Sequence, residues 1–411
     1  MRTSEVIVVG CGPVGLVTAL GLGRAGVQVT LVEAEAGPSK APRALVYHWA
    51  VMKGLDELGL LGTVVSAGLV KHDYSMRVHR TGETVRWSIR ELEGLVEYPF
   101  NVHLGQDVLT QIVLEHIRRL PNVQIRWNTR VERMVRNDND VAVAVSGPGG
   151  EEMLGAEWLV AADGARSPVR HALGLSFDGM TWPKEMVATN IEADLDALGF
   201  DKATFMIDET YGAIIVKIDT AKKWRVTYCE PAGLDPAGIV DRMPAMFAQI
   251  LPGLEGKYEL LQHSPYRMHQ RLAGSFRVNR VLLAGDAAHI TNPVGGLGLT
   301  AGLFDAFVLY EALAAVIRQD KPQSILDEYA SARKANFETY TSPRATLNNQ
   351  LLFYTGPERL EQELAQVRRL GSERQAVLDR TLFVGALETP SLVTGRQLNE
   401  VVSHARQAAA R

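Results

Sequence analysis

The tightest constraint on this chain is the stretch Val6-Ile-Val-Val9 followed at once by Gly10-Cys-Gly12-Pro13-Val14-Gly15. Three valines and an isoleucine in succession suit a buried strand, and the pattern from Pro13 to about Ala25 suits a helix. Val27 to Glu33 then reads as a second strand, so the pieces form a βαβ unit that commits the chain to a parallel sheet. Between strand and helix, Gly10 permits the tight turn, Gly12 lets a pyrophosphate approach the backbone, and Gly15 lets helix and strand pack closely. The helix N-terminus, entered at Pro13 and Val14, faces the phosphates. Glu33, at the end of the second strand, is placed to accept hydrogen bonds from an adenosine ribose and disfavours a 2′-phosphate there. The ligand expected is FAD or NAD rather than NADP.

Composition removes several classes of partner. The 411 residues are 46% hydrophobic and carry a formal charge of −4, with no basic block of the kind nucleic acid or an anionic membrane would require. Cys11 and Cys229 are too few for a disulfide framework or a zinc or iron–sulfur site, which favours a reducing, cytoplasmic setting. The uncharged run Val6–Gly23 is rich in glycine, holds Pro13 and leads into more αβ pattern, so it reads as structure rather than a signal segment. Ala301–Ile317 is interrupted by Asp305 and Glu311, which argues against a membrane span.

Further along, helices are expected at about Ala50–Gly59 and Asp107–Arg119, and strands at Val123–Val131, Val141–Ser146 and Trp158–Ala162. From about Met180 to Met268 strands dominate, at Val187–Ala193, Ala203–Ile207, Ala213–Ile218, Trp224–Cys229 and Tyr258–Gln262, with one helix near Ile239–Ile250. The strand Arg280–Ala284 and a long helix from about Leu299 to Arg318 return to the αβ style. The tail reads as helices broken at Pro343, Gly356-Pro357, Gly371 and Pro390.

Two later motifs decide which dinucleotide is meant. Gly285-Asp286-Ala-Ala-His289 puts a carboxylate at the C-terminal end of a strand, where flavin ribityl hydroxyls could be held. Pro293-Val-Gly-Gly296-Leu-Gly298-Leu299-Thr300 makes a glycine turn opening a helix, whose free N–H groups can stabilise charge on a reduced flavin. Gly10-x-Gly12-x-x-Gly15, Asp163-Gly164 in Ala161-Ala-Asp-Gly-Ala-Arg-Ser-Pro168, and Gly285-Asp286-Ala-Ala-His289 stand in the order of a known family. Over residues 5–335 the chain resembles the single-component, FAD-dependent aromatic hydroxylases of the 4-hydroxybenzoate hydroxylase type.

The resemblance implies an α/β fold in which an FAD-binding Rossmann-like domain (1–179, with substrate-domain insertions, and 271–335) is interleaved with a sheet-rich substrate domain (180–270). A helical C-terminal region (336–411) completes it. It implies that Asp163 and Gly164 serve FAD and the nicotinamide cofactor together, that Asp286 binds the ribityl chain, and that Arg43 and Gln106 are further flavin contacts. Where the family commonly has paired prolines, this chain has Asn292-Pro293, and Leu297 and Thr300 replace other usual residues. His289 reads as a structural residue more than a base. The chemistry implied is hydride transfer from NADH or NADPH to tightly but non-covalently bound FAD, O2 addition at flavin C4a, and oxygen transfer from that hydroperoxide to a phenol or hydroxylated heteroarene.

The backbone carbonyl of Pro293 is implied to lie near substrate and flavin, and Tyr211, Arg225, Tyr228 and His263 are side-chain candidates whose facing depends on strand register. The partners expected are a small aromatic substrate and O2, with neither nucleic acid nor membrane, for a monomer or homodimer. Baeyer–Villiger or epoxidising oxygenation and a non-oxygenating FAD protein stay open at this point. The Trp-x-Trp-x-Ile-Pro signature of flavin halogenases is absent, since Trp87-Ser-Ile89 does not complete it.

Overall fold

The computed structural model describes residues 4–39 and 44–399. Val6–Val9 lies inside a six-stranded sheet ordered Arg277–Val278, Val281–Leu283, Trp158–Ala161, Val6–Val9, Val29–Val32 and Val123–Arg126. The last five strands run parallel, and Arg277–Val278 closes the edge antiparallel. Alternation splits the first strand between two cores. Val6 and Val8 pack with the helices Pro13–Arg24 and Leu297–Arg318, whereas Ile7 and Val9 pack with Val141, Val143, Val145 and Leu154 of a three-stranded antiparallel sheet. Covering on both faces is what a parallel sheet with continuous apolar strands requires.

The single strand expected over Val123–Val131 is two. Val123–Arg126 ends in the parallel sheet, Asn128 turns through φ +52°, and Arg130–Arg136 joins the antiparallel sheet. Asn128 and Thr129 donate their N–H groups to the carbonyls of Glu35 and Glu33, which fixes the corner beside the second strand's end. The polar turn after it forms as expected, with Asn137 Oδ1 accepting from the N–H groups of Asn139 and Asp140.

A second sheet has eight strands, in the order His289–Ile290, Glu259–Ala273, Phe177–Glu192, Lys223–Pro231, Ala213–Lys217, Ala203–Ile207, Asp73–Val78 and Thr84–Ser88. The strands expected at Val187–Ala193 and Tyr258–Gln262 are much longer, because they run on together until Phe177 pairs with Ala273 near the parallel sheet. Asp73–Val78 and Thr84–Ser88 enter from far earlier in the chain and were not expected as strands. The helix Ile239–Ile250 covers one face, packing on Val187, Ile191, Ile215, Trp224, Val226 and Tyr228. The other face carries Met186, Cys229 and Met268, which pack against Val294, Leu352 and Phe353. A small sheet of Val46–Tyr47, Asn101–His103 and Leu69–Lys71 stands beside it.

In the tail, Pro343 does not break the helix. Helical structure continues from Ser324 to Phe353 through a π turn at Phe337–Thr341, which widens the ladder just before a residue that cannot donate to it. The break at Gly356 occurs as expected. Leu297–Arg318 is long and apolar enough to cross a membrane, yet 78% of its apolar window is buried inside the fold. Its acid, Asp305, is fully buried: Oδ2 accepts from the Gly285 N–H at 2.9 Å and from His289 Nε2 at 2.7 Å, and Oδ1 from Arg333 Nε at 2.7 Å. Arg333 also donates to the carbonyls of Ala301 and Leu387, tying the tail to the long helix.

Burial alone would raise the Asp305 carboxyl, but His289 and Arg333 outweigh it and hold it at about 2. A depressed acid stabilises the fold fully above the ordinary carboxylate range and loses that contribution as pH falls toward about 2. Arg333→Met leaves this carboxylate without its cation, so urea unfolding at neutral pH should show a loss of roughly 3–5 kcal/mol. Part of that loss should be missing below pH ~3, where the carboxyl of the variant is protonated.

Candidate active site

The three glycine-containing motifs meet at the C-terminal edge of the parallel sheet, where ligands of open α/β sheets bind. At Gly10, φ is +102°, and a Cβ there would lie 2.3 Å from the Ala162 carbonyl oxygen. At Gly15 a Cβ would lie 2.0 Å from the Gly10 carbonyl oxygen. Gly285 and Gly302 both close on Val14, whose Cγ2 would be 2.8 Å from a Cβ on either. Only Gly12 of the first motif faces open space, with nothing within 4 Å of a Cβ position. Its helix has no side-chain cap at the N-terminus, so the first N–H groups point outward unpaired by a side chain.

Glu33 is joined to this loop. Its Oε2 accepts the Cys11 N–H at 2.8 Å and its Oε1 the Glu35 N–H at 3.0 Å. A carboxylate has about four acceptor sites, so capacity remains for ribose hydroxyls. Asp163 is held by Val169 N–H on Oδ2 at 3.1 Å, while its Oδ1 is buried with no hydrogen-bond partner. Burial pushes the Asp163 carboxyl up. Gly164 follows at φ +81°. Asp286 is exposed between the buried residues Gly285 and Ala287, projecting from the sheet edge. Gln106 is half-buried at the first residue of the helix Gln106–Ile117. Arg43 lies outside the described residues.

Across the edge, the Asn292–Gly296 turn is locked by side chains. Asn292 Oδ1 accepts the Val294 N–H at 3.1 Å, and its Nδ2 donates to Gln270 Oε1 at 3.1 Å. Pro293 is exposed, and its carbonyl accepts the Gly296 N–H at 3.0 Å. Gly295 and Gly296 adopt φ of +94° and +68°. The helix begins at Leu297 rather than Leu299, so Gly298, Leu299 and Thr300 form its first turn, again without a side-chain cap.

His48, unremarked in the sequence, braces this turn. His48 Nδ1 and Thr300 Oγ1 are hydrogen-bonded at 2.8 Å, and Thr300 Oγ1 also bonds the Gly296 carbonyl at 3.0 Å. Burial lowers His48 to about 4, against a hydrogen bond to the Gly295 backbone, so the imidazole is neutral at ordinary pH.

Strand register settles which candidates share a face. Asn190 pairs with Arg225 and Gln262, and Met186 with Cys229 and Tyr266, so these side chains lie on the face that meets Val294. Arg225 is 8% exposed and donates from Nε to Asn190 Oδ1 at 3.0 Å. Burial lowers it to about 10, opposed by Tyr266, Asp107 and Tyr47, so it stays cationic. Tyr47 is buried beside it with no partner for its hydroxyl.

The other candidates are not brought to that face. Tyr228 packs edge-on to Phe247 on the opposite side, and His263 pairs with Thr189 there. Tyr211 sits in the loop before Ala213–Lys217, against His79. Tyr47, His48 and Tyr266 could have been found only through register, which no local pattern supplied.

The geometry fits FAD: an open glycine at a bare helix N-terminus, an acid at the ribose end, an exposed carboxylate at the sheet edge, and a second bare helix N-terminus behind a left-handed turn. The profile of the FAD binding domain family matches residues 3–342. The chain is 43% identical to 6-hydroxy-3-succinoylpyridine 3-monooxygenase HspB of Pseudomonas putida, over 94% of this chain and 98% of that one. It is also 43% identical to para-nitrophenol 4-monooxygenase of a Pseudomonas species, over 90% and 92%. The crystal structure of p-nitrophenol 4-monooxygenase PnpA from Pseudomonas putida superposes with a TM-score of 0.91 at 40% identity, covering 94% of this chain and 99% of that one. The ternary complex of aklavinone-11 hydroxylase with FAD and aklavinone gives 0.78 at 29% identity, covering 88% and 71%.

The contrast among the glycines generates a test. A Cβ at position 12 has no protein atom within 4 Å, so Gly12→Val should unfold at the same temperature as the FAD-free wild type while holding far less FAD after gel filtration. Gly10→Val collides with the Ala162 backbone and should lower the melting temperature whether or not FAD is present.

Proposed function

The chain belongs to the FAD binding domain family and is an FAD-dependent aromatic monooxygenase; on that premise we propose that it uses NADH or NADPH and O2 to oxygenate a hydroxyarene or hydroxypyridine at the ring carbon opposite the hydroxyl. FAD, when bound, supplies the redox chemistry, accepting a hydride and activating O2. The loop Gly10–Gly15 and its helix N-terminus hold the pyrophosphate, Glu33 the ribose, and Asp286 the ribityl hydroxyls. Asp163 and Gly164 sit where both the flavin and the nicotinamide cofactor would pass. Arg43 and Gln106 are read as further flavin contacts. The N–H groups of Leu297 to Thr300 favour negative charge on the flavin edge they face.

The observation that carries the substrate assignment is Arg225, a buried cation on the sheet face that meets the Asn292–Gly296 turn. A cation in that position lowers the pKa of a ring hydroxyl beside it, and the ionised oxygen makes the opposite ring carbon more nucleophilic. Tyr47 adds a hydroxyl able to donate to the same oxygen. Met186, Cys229, Met268 and Val294 line the remainder and exclude water. Cys229 remains a thiol, because burial pushes it up to about 12.

The relatives' names support the regiochemistry. In para-nitrophenol the 4-position lies opposite the hydroxyl and bears the nitro group, and in 6-hydroxy-3-succinoylpyridine the 3-position lies opposite the 6-hydroxyl and bears the succinoyl group.

The test is a screen of hydroxyarenes with a second group opposite the hydroxyl, following NAD(P)H oxidation, oxygen uptake and product mass. At least one should stimulate oxidation, with oxygen incorporated at the carbon opposite the hydroxyl as the bond to its substituent breaks, the ring leaving as a quinone and a nitro group as nitrite or an acyl group as an aldehyde; no stimulation by any of them would end the reading. Arg225→Met should keep its FAD and lose roughly 10–100-fold in kcat/KM, as expected for one charge-assisted hydrogen bond. Its optimum should move to higher pH, where the substrate ionises without help.

A further inference from the structure

On the inner side of the helix Ser342–Phe353, the polar residues that meet neighbouring elements are accounted for, with one exception. Ser342 and Thr346 both accept from Gln270 Nε2, and Asn348 Nδ2 donates to the Val294 carbonyl at 3.4 Å. Asn349 is fully buried, and neither its Nδ2 nor its Oδ1 has a hydrogen-bond partner. The ordinary escape for a polar side chain within a helix, bonding back to a carbonyl one turn earlier, is not taken. Buried carboxamides are otherwise almost always paired, so this residue calls for an explanation.

Its position supplies one. Asn349 shares a helix stripe with Ala345, Leu352 and Phe353, all buried. Leu352 and Phe353 pack on Met186, Cys229, Met268 and Val294, the surfaces that line the proposed substrate site. On the strand Lys223–Pro231 this is the Cys229 end, four residues beyond Arg225, or about 13 Å along the strand. A ring whose hydroxyl meets Arg225 therefore turns its opposite substituent toward this helix.

We propose that Asn349 is a specificity-determining residue whose Nδ2 donates a hydrogen bond to an acceptor oxygen on the substituent opposite the substrate's ring hydroxyl. The proposal rests on the function read above, and it selects among hydroxyarenes. Nitro- and acyl-bearing rings pair the Nδ2 donor, whereas alkyl- and halogen-bearing rings leave it unpaired in a dry site, which costs affinity. Discrimination is exerted on binding, so it falls on KM more than on kcat.

The experiment measures equilibrium binding of 4-nitrophenol and 4-hydroxyacetophenone against 4-methylphenol and 4-chlorophenol, through the flavin absorbance change of the FAD-loaded enzyme. In Asn349→Leu the preference for the acceptor-bearing pair should fall on the order of tenfold. The FAD content should be unchanged, and the unliganded melting temperature equal to the wild type's or higher, since an unpaired amide gives way to an apolar group of similar shape. Asn349→Val likewise removes the donor without introducing another polar group, and should show the same loss of preference. A preference retained in both variants, a loss of FAD that would make Asn349 a flavin ligand, or a lowered melting temperature in Asn349→Leu that would make the amide structural would each overturn the proposal. Wild-type enzyme that oxidises hydroxyarenes without regard to the acceptor removes this inference alone, whereas wild type inactive on every hydroxyarene removes the underlying reading as well.

Discussion

Asp305 holds together parts of the chain that have little else in common. Its carboxylate accepts from the Gly285 N–H just after a parallel strand, from His289 at the start of an edge strand of the broad sheet, and from Arg333 in the tail, while its own helix begins at the glycine turn. A charge buried in this way is tolerable only because two cationic or polar partners and a backbone donor surround it. The arrangement fixes the direction in which Asp286 leaves the sheet, because the residue before it and the residue three beyond it are both bonded to one carboxylate. The geometry at Asp286 therefore depends on a residue that is itself fully buried, and the C-terminal tail is built into the same lock through the Leu387 carbonyl.

Around this lock, the site divides its electrostatics between helix dipoles and one full charge, that of Arg225. The two bare helix N-termini present partial positive charge, which suits the pyrophosphate and reduced flavin of the proposed function. His48 is neutral, so it braces the turn through its hydrogen bond to Thr300 without adding a charge beside it. Arg225, by contrast, keeps its charge in spite of burial, because Asn190 pairs its Nε and acidic and phenolic groups lie nearby. A cation held on a sheet opposite a rigid turn can act on a substrate oxygen without reorganising, which is where such groups contribute most.

Much of the flavin half could be read from the chain because its signals are local. Gly10, Gly12 and Gly15 each have a steric reason visible in spacing alone, and the structure's close contacts at Ala162 and Gly10 fall at the two glycines read as tight-packing positions. Glu33 and Asp286 end strands that periodicity already marked. The substrate half resisted for the opposite reason. Arg225 and Tyr228 lie on one strand and His263 on another, both paired to Phe177–Glu192, and a one-residue difference of register decides which face each one takes. Pro343 misled because a π turn absorbs what would otherwise end a helix.

The sequence by itself determined the parallel-sheet core, the dinucleotide loop and the choice of flavin, since each follows from backbone freedom and side-chain chemistry within a few residues. Only the tertiary structure decided that Arg225 and Tyr266 look toward the flavin turn while Tyr228 looks away, that His48 braces Thr300 from more than half the chain away, and that Asn349 is buried without a partner. These facts depend on which elements are stacked against which. The strand alternation and helix stripes that a sequence displays give two faces or one stripe, and packing alone assigns what each of them meets.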